Sequence, residues 1–569
     1  MSTATGTASG AGTGAGTGAG THTSARASAR ARRADRLARL AREPFDVLVI
    51  GGGATGAGTA LDAASRGLSV ALVERFDFAQ GTSSRSTKLV HGGVRYLEQA
   101  VKHADRSQFN LVREALRERA VLLRNAPHLA HPLPLLTPIY SALELPYYFT
   151  GLKLYDMLAG RANLKPSRHV GRSDAIERFP MLKRKGLRGA VEYHDGQFDD
   201  ARMNVALALT AARQGAVVLN HVSVTDLLKE HGQVRGAVVT DALGDEAPFE
   251  VRAKVVINAT GPFVDSIRRL DEPDVPAMLT TSSGVHVVLP SRFSPPGTGL
   301  LIPKTEDGRV LFLLPWLGHT VVGTTDNPAT VSADPRPEAE DVEYILRHVR
   351  QYFDLPVETG DVLSAWSGLR PLVEPGDHGG VGRHLQGSAE AGGTGEHGSA
   401  NGGTARLSRD HTIVVSAAGL VTITGGKWTT YRKMAEDVVD IAVGSAALKP
   451  RNASLTASLP LVGGDSFVTD GAQALRDEFR LDADVAHHLH HAYGDKAGIV
   501  AGLATSGLGE RLAAGHPYIE AEVIYARDHE DAHFADDVLA RRLRLTFLDS
   551  AAAESARPRV EELLASEPS

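Results

Sequence analysis

Apolar residues come in short unbroken runs through the first three quarters of the chain and at helical spacing near its end. The run Val47-Leu48-Val49-Ile50 follows Asp46 and stops at Gly51-Gly52-Gly53-Ala54-Thr55-Gly56-Ala57-Gly58, which reads as a strand running through a tight turn into a helix. Ser69-Val70-Ala71-Leu72-Val73 predicts a second strand, closed by Glu74. Ala216–Leu219 and Lys254–Ile257 read as buried strands, the latter ending in the turn Asn258-Ala259-Thr260-Gly261. Strand patterns then cluster at Gly284–Leu289, Val310–Leu314 and Thr320–Gly323, which predicts a mostly antiparallel sheet inserted between two halves of the first domain. Gly419-Leu420-Val421-Thr422-Ile423-Thr424 returns to the first sheet, followed by Gly425-Gly426-Lys427 and a helix through about Val443. Beyond Ala453 the pattern is helical, with apolar spacing at Ile519–Tyr525 and Asp537–Leu548.

The predicted class is therefore α/β: a Rossmann-like domain with an inserted antiparallel sheet that carries the substrate, and a C-terminal helical cap. The expected boundaries are 44–450 for the two interleaved domains and 451–569 for the cap. Residues 1–43 are rich in Gly, Thr, Ala and Ser and become arginine-rich from Arg26 to Arg42, which predicts a disordered tail. Its acid-poor character mimics a transit peptide, but it has no apolar signal core. A second low-complexity stretch, 376–404, reads as a surface insertion; its histidines are too irregularly spaced to predict a metal site, and none is expected.

The strand–glycine–helix unit is where a dinucleotide would sit. Gly51 permits the turn, Gly53 lets backbone approach a pyrophosphate, and Gly56 allows close helix–strand packing. Ala54 and Thr55 open the helix whose N–H groups face the phosphates. Glu74 stands where it would accept both hydroxyls of an adenosine ribose, which argues against a 2′-phosphate.

Composition narrows the chemistry. The 569 residues carry a formal charge of −6 and no cysteine, so disulfides, thiolate nucleophiles and iron–sulfur clusters are excluded and redox work falls to an organic cofactor. Nucleic acid is not an expected partner, since no basic stretch is interleaved with aromatics. The longest apolar windows, such as Leu133–Leu145, are interrupted by proline or charge and are too short to span a bilayer.

Several segments together resemble one family, the respiratory-type FAD-dependent glycerol-3-phosphate dehydrogenases, within the flavoproteins related to D-amino-acid oxidase. The resemblance is carried by Ile50 through Gly67, by Gly425-Gly426-Lys427-Trp428-Thr429-Thr430-Tyr431-Arg432-Lys433-Met434-Ala435, and by Ser83-Ser84, Lys88 through Glu98, Ser367 through Leu372 and Ser408-Arg409-Asp410-His411. It extends from about Phe45 to Asp549, failing in the tail and the 376–404 insertion. Where some members carry a lysine before the Gly-x-His element, this chain has Ser283-Gly284-Val285-His286, as other members do.

The resemblance implies FAD on Gly51, Gly53, Ala54, Thr55, Gly56, Glu74, Arg75, Ser83, Ser84, Lys88, His91, Gly92, Gly93, Thr260, Gly261, Gly425, Gly426, Lys427, Trp428 and Thr429. It implies glycerol 3-phosphate held by Arg95, Tyr96, Arg370, Arg409 and Lys427. Guanidinium forks and an ammonium suit a phosphate monoester because paired N–H···O bonds fix direction as well as charge. His286 is the candidate proton acceptor, with Arg370 or Lys427 as alternative polarisers of the hydroxyl. The helix after Gly425-Gly426-Lys427 is placed to stabilise negative charge on a reduced flavin. With no second strand–GxGxxG–helix unit for NADH, the implied acceptor is a quinone, reached from the inner face of a membrane the protein touches but does not span. Pro146–Arg161 and Lys183-Arg184-Lys185 are candidate lipid contacts. The alternatives are an oxidase that passes electrons to O₂ and a flavin-binding module without turnover; a homodimer is left open.

Overall fold

The computed structural model describes residues 19–94, 97, 106–245, 247–303, 305–306, 308–374 and 411–566. Its first sheet is built around the strand Phe45–Ile50, which pairs in parallel with Phe249–Asn258 on one side and Val70–Val73 on the other. Val217–Leu219 extends one edge in parallel, and Val421–Gly425 followed by antiparallel His411–Val415 extends the other. Val47, Leu48, Val49 and Ile257 are fully buried, as expected of strands covered on both faces by crossover helices. The covering helices Ala54–Ser65, Asp200–Arg213 and Tyr431–Ser445 supply one core with these strands. An antiparallel ribbon, Val222–Glu230 and Gln233–Asp241, hangs from Phe249–Asn258.

The inserted sheet has the expected mostly antiparallel character. Leu279–Pro290 lies near one edge, between Ser364–Val373 and His319–Gly323, and the sheet continues through Leu311–Trp316 and Gly299–Ile302 to Ala130–Ile139 and Gly189–Phe198. The pair Gly299–Ile302 with Ala130–Ile139 is parallel.

The cap is helical from Gly471, with principal helices Gly471–Phe479, Ala483–Tyr493, Ala497–Leu503, Glu520–His529 and Ser550–Ala565. It shares a core with the inserted sheet: Val288, Val321, Trp316 and Trp366 pack with Val523, Val538, Leu539 and Phe547. The cap therefore backs the wall that carries His286 and Arg370.

The expectation of a wholly disordered tail is corrected over Ala19–Arg42, which is one helix. Two of its arginines are paired with distant carboxylates. Arg33 pairs with Asp241 at 2.7 Å, and Arg36 forms a two-bond fork to Asp531 at 2.8 and 2.6 Å. Leu40 is fully buried beside Phe45 and Leu48. Residues 1–18, the 376–404 insertion, Arg95, Tyr96 and Arg409 lie outside the described residues.

Candidate active site

Three segments far apart in sequence are stitched together beside the glycine turn. The N–H of Ala54 donates to Ser83 Oγ at 2.9 Å, the Trp428 indole N–H donates to the Ser83 carbonyl at 2.8 Å, and the His91 N–H donates to Thr429 Oγ1 at 3.1 Å. The glycine turn, the 82–93 segment and the Gly425–Thr429 turn thus form one rim. Gly92 donates its N–H to the Tyr155 hydroxyl at 2.7 Å, and Gly93 faces the cavity with His91.

The turn has the shape a pyrophosphate needs. Gly51 has φ of +109°, a left-handed conformation that side chains resist, and a Cβ on Gly56 would lie 1.8 Å from the Gly51 carbonyl oxygen. The helix Ala54–Ser65 begins directly after Gly53, so its first N–H groups and dipole face outward from the sheet edge. These residues fit FAD. Two details refine the expectation. The Glu74 carboxylate accepts N–H bonds from Gly52 at 2.6 Å and Phe76 at 2.9 Å, and burial raises its pKa. Arg75 lies over the Phe263 ring at 4.1 Å, which brings it beside the Thr260–Gly261 turn.

The side chains of Lys88 and Ser84 turn away from the cavity. Lys88 is fully buried; its ammonium donates to Asp200 at 2.7 Å and to the Ser84 carbonyl at 2.8 Å rather than facing the cavity. Burial pushes it down to about 7, with Asp200 acting against the shift. The Ser84 side chain is also buried, and its hydroxyl turns back toward the Gly81 carbonyl.

A cavity of about 830 Å³ opens at this rim. His286, Arg370 and Lys427 all line it, together with Thr87 and Thr429. His286 and Arg370 sit on neighbouring strands, with Ser282 opposite Arg370 and Trp366 opposite His286. Glycines make room for both side chains. A Cβ on Gly284 would lie 2.3 Å from an Arg370 nitrogen, and one on Gly323 would lie 2.2 Å from the His286 ring. That is the physical sense of Gly284-Val285-His286: a glycine opposite the guanidinium, then two residues on, the imidazole on the same face.

Arg370 is aimed by Asp326 at 3.1 Å, by Thr324 Oγ1 at 3.1 Å and by the Thr325 carbonyl at 3.0 Å. The His286 ring stacks on Trp366, centroids 5.3 Å apart and planes at 11°, and its Nε2 is 2.9 Å from the Thr87 hydroxyl. Burial first, then the charges of Lys88 and Arg370, hold the imidazole well below its usual pKa, so it stands neutral. Sequence reasoning missed Thr87, Asp326, Arg309 and Arg85, all of which line this cavity. The Arg85 guanidinium donates to the Ser367 carbonyl at 3.0 Å, and burial lowers it to about 10.

The far end of the cavity is apolar. Leu143, Pro146, Tyr147, Tyr148 and Leu152 line it from the helix Glu144–Ala159 and its approach, facing Phe312. Leu143 is 83% exposed, Met157 76% and Tyr147 50%, so the same element presents apolar side chains to the outside. Among the described residues, no helix is long and apolar enough to cross a membrane.

A nucleotide-shaped turn, a parallel sheet and a substrate sheet closing over one cavity define a flavin-dependent oxidoreductase. The family model described as FAD dependent oxidoreductase matches residues 46–432, and the one described as the C-terminal domain of alpha-glycerophosphate oxidase matches 454–569. A mitochondrial glycerol-3-phosphate dehydrogenase of Arabidopsis thaliana is 49% identical over 552 residues, covering 93% of this chain and 84% of its own. The mitochondrial enzyme of Homo sapiens is 49% identical over 550 residues, covering 94% and 72%. The crystal structure of the Bacillus halodurans glycerol-3-phosphate dehydrogenase complexed with FAD superimposes with a TM-score of 0.72 at 30% identity, covering 94% of this chain and 92% of that one. The chain belongs to the family of FAD-dependent glycerol-3-phosphate dehydrogenases.

Proposed function

We propose that this flavoprotein oxidises sn-glycerol 3-phosphate to dihydroxyacetone phosphate and passes the electrons to a quinone. The observation that carries the first half is the meeting of His286, Arg370 and Lys427, distant from one another in sequence, on one cavity beside the FAD turn. FAD bound there supplies the hydride acceptor. Arg370 binds the phosphate with two forked nitrogens, its direction fixed by Asp326 and Thr324. Lys427 adds an ammonium from the opposite turn, and Arg95 and Arg409 complete the set in the proposed site, with Tyr96 as a neutral donor. His286, neutral and hydrogen-bonded at Nε2, accepts the hydroxyl proton as the carbon gives up its hydride. Arg370 or Lys427 is the alternative polariser of the hydroxyl oxygen.

The quinone half is supported by the apolar end of the same cavity and by the exposed Leu143, Tyr147 and Met157 around it. An apolar acceptor partitions into such a channel more readily than into water. Lys153 and Arg161 on the same stretch suit an anionic lipid surface, which seats the protein peripherally on the inner face of the cell membrane. The test is anaerobic: glycerol 3-phosphate should bleach the flavin, a quinone analogue should restore its colour faster than dissolved O₂, and vesicles of anionic lipid should retain the protein. Reoxidation by O₂ with stoichiometric peroxide at the quinone rate would favour the oxidase instead.

A further inference from the structure

The candidate base is held by Thr87 and Trp366, which none of the cofactor or substrate assignments includes, and by Lys88, which turns away from the cavity. Besides the cavity, His286 meets the Trp366 ring, the Thr87 hydroxyl, the Gly284 backbone and the strand at Gly323, where a Cβ would lie 2.2 Å from its ring. Trp366 is in turn fixed by the cap, with Phe547 edge-on at 5.2 Å. The Lys88 ammonium lies over the same indole at 5.2 Å from its centroid and over Trp316 at 5.1 Å. Its charge is anchored by Asp200, which also takes a bond from Arg544 at 3.2 Å. Lys88 reaches this position through a backbone φ of +65°, a left-handed conformation that a non-glycine residue adopts at a cost and that local structure must hold. The strained residue directly follows the threonine that bonds His286.

We infer that Thr87 and Lys88 form one positioning turn for His286, the Thr87 hydroxyl fixing the rotation of the imidazole through Nε2 and the Lys88 ammonium placing a fixed positive charge beside Trp366. The inference deepens the proposed function and rests on His286 acting as the base there. A ring free to rotate about its side-chain bonds would hold any one orientation toward the cavity in only a fraction of molecules, and the Thr87 bond at Nε2, with the stack on Trp366, limits that freedom. The charged groups facing the imidazole are Lys88 with its partner Asp200, Arg544 behind them, and Arg370 from the adjacent strand. Net positive charge on these sides opposes protonation of His286. Because Lys88 is itself protonated below about 7, its field acts over the range in which an ordinary imidazole would take up a proton.

The experiment compares Thr87→Val, Thr87→Ser, the paired variant Lys88→Met with Asp200→Asn, and His286→Asn, each as the flavin-loaded full chain. Thr87→Val keeps shape and loses the hydroxyl. It should lower kcat about 10- to 100-fold with KM for glycerol 3-phosphate and flavin content unchanged, and Thr87→Ser should restore kcat to within a few fold. The paired variant removes the Lys88 charge together with its counter-ion and leaves Arg544 with Asp199 at 3.6 Å as its carboxylate; the acid limb of its kcat/KM profile should move up toward pH 6.5. Wild-type kcat in Thr87→Val together with an unmoved acid limb in the paired variant overturns the inference. If His286→Asn itself retains full kcat, the base assignment fails instead, and the two failures are told apart in one series.

Discussion

Two regions of this molecule are crowded with arginine, and they put it to opposite uses. At the junction of the tail helix, the first sheet and the cap, Arg541 and Arg542 share Asp77 at 2.6 Å each, Arg202 forks onto Glu530 at 2.6 and 2.8 Å, and Arg36 forks onto Asp531. All are buried or nearly so and face no cavity. At the substrate sheet, Arg370 and Lys427 line an open cavity, and Arg370 is aimed there by neutral threonine oxygens as well as by Asp326. Charge that is matched within the fold holds domains together; charge directed into a cavity is available for an anion. Even Asp77, His221 and Asp537, whose ligand atoms lie within 4.8 Å of one another as a metal site would require, belong to the first kind, because Arg541 bonds both Asp77 and Asp537.

The contrast can be broken at either end. Arg370→Ala should lower kcat/KM for glycerol 3-phosphate by about 10³- to 10⁴-fold, roughly 4–5.5 kcal/mol, while leaving the melting temperature nearly unchanged, as steady-state kinetics and thermal denaturation would show. Asp77→Asn should do the reverse. It takes the shared carboxylate from the buried Arg541 and Arg542, leaving Asp537 to the first and Glu530 at 3.5 Å to the second, which costs roughly 3 kcal/mol of stability in denaturant titration, with kcat/KM per folded molecule preserved. Gly284→Ala should cost about 100-fold in kcat/KM, because the new methyl group occupies the path of the Arg370 guanidinium; a normal flavin content would show that the damage is confined to the substrate side.

The smallest effect is expected from Arg36→Ala, about 1 kcal/mol at pH 7. It has a diagnostic pH dependence. Asp531 is held below the usual carboxylate range by Arg36, against the raising effect of its burial. A carboxyl depressed in the folded state contributes stability above its unfolded pKa and loses it as pH falls through the folded value. The gap between parent and variant should therefore be full above about pH 4 and close on further acidification. A gap that persisted at low pH would mean that the tail helix is held by packing of Leu40 rather than by charge.

How legible this was in the sequence depended on the range of the interactions. The strand–turn–helix at Gly51 and the Gly425–Thr429 turn follow from local rules, since apolar runs and glycines report backbone geometry directly, and the structure has both. The antiparallel inserted sheet was visible at three of its central strands for the same reason. The tail helix was not: Arg33 and Arg36 find their carboxylates 208 and 495 residues away, and an arginine-rich tract without local acids reads as disordered until those partners are known. Lys88 sits inside a motif that suggested cofactor contact, but its left-handed backbone sends the ammonium to Asp200 instead. Thr87 left no signal, because a threonine in a polar turn has no periodicity to betray that it faces a histidine almost 200 residues on. Glycines 284 and 323 carried a usable signal, Gly323 opposite His286 and Gly284 beneath the Arg370 guanidinium, although only the register and the side-chain direction show which residue each makes room for.

The most direct test is anaerobic titration of the flavin-loaded protein with glycerol 3-phosphate and, separately, with unphosphorylated glycerol, in parent and Arg370→Ala forms. Bleaching of the parent by the phosphate ester alone, with the Arg370→Ala form requiring far higher concentrations, is the predicted result. Equal bleaching by glycerol, or an unchanged midpoint without the guanidinium, would contradict the assignment of this cavity to a phosphate monoester.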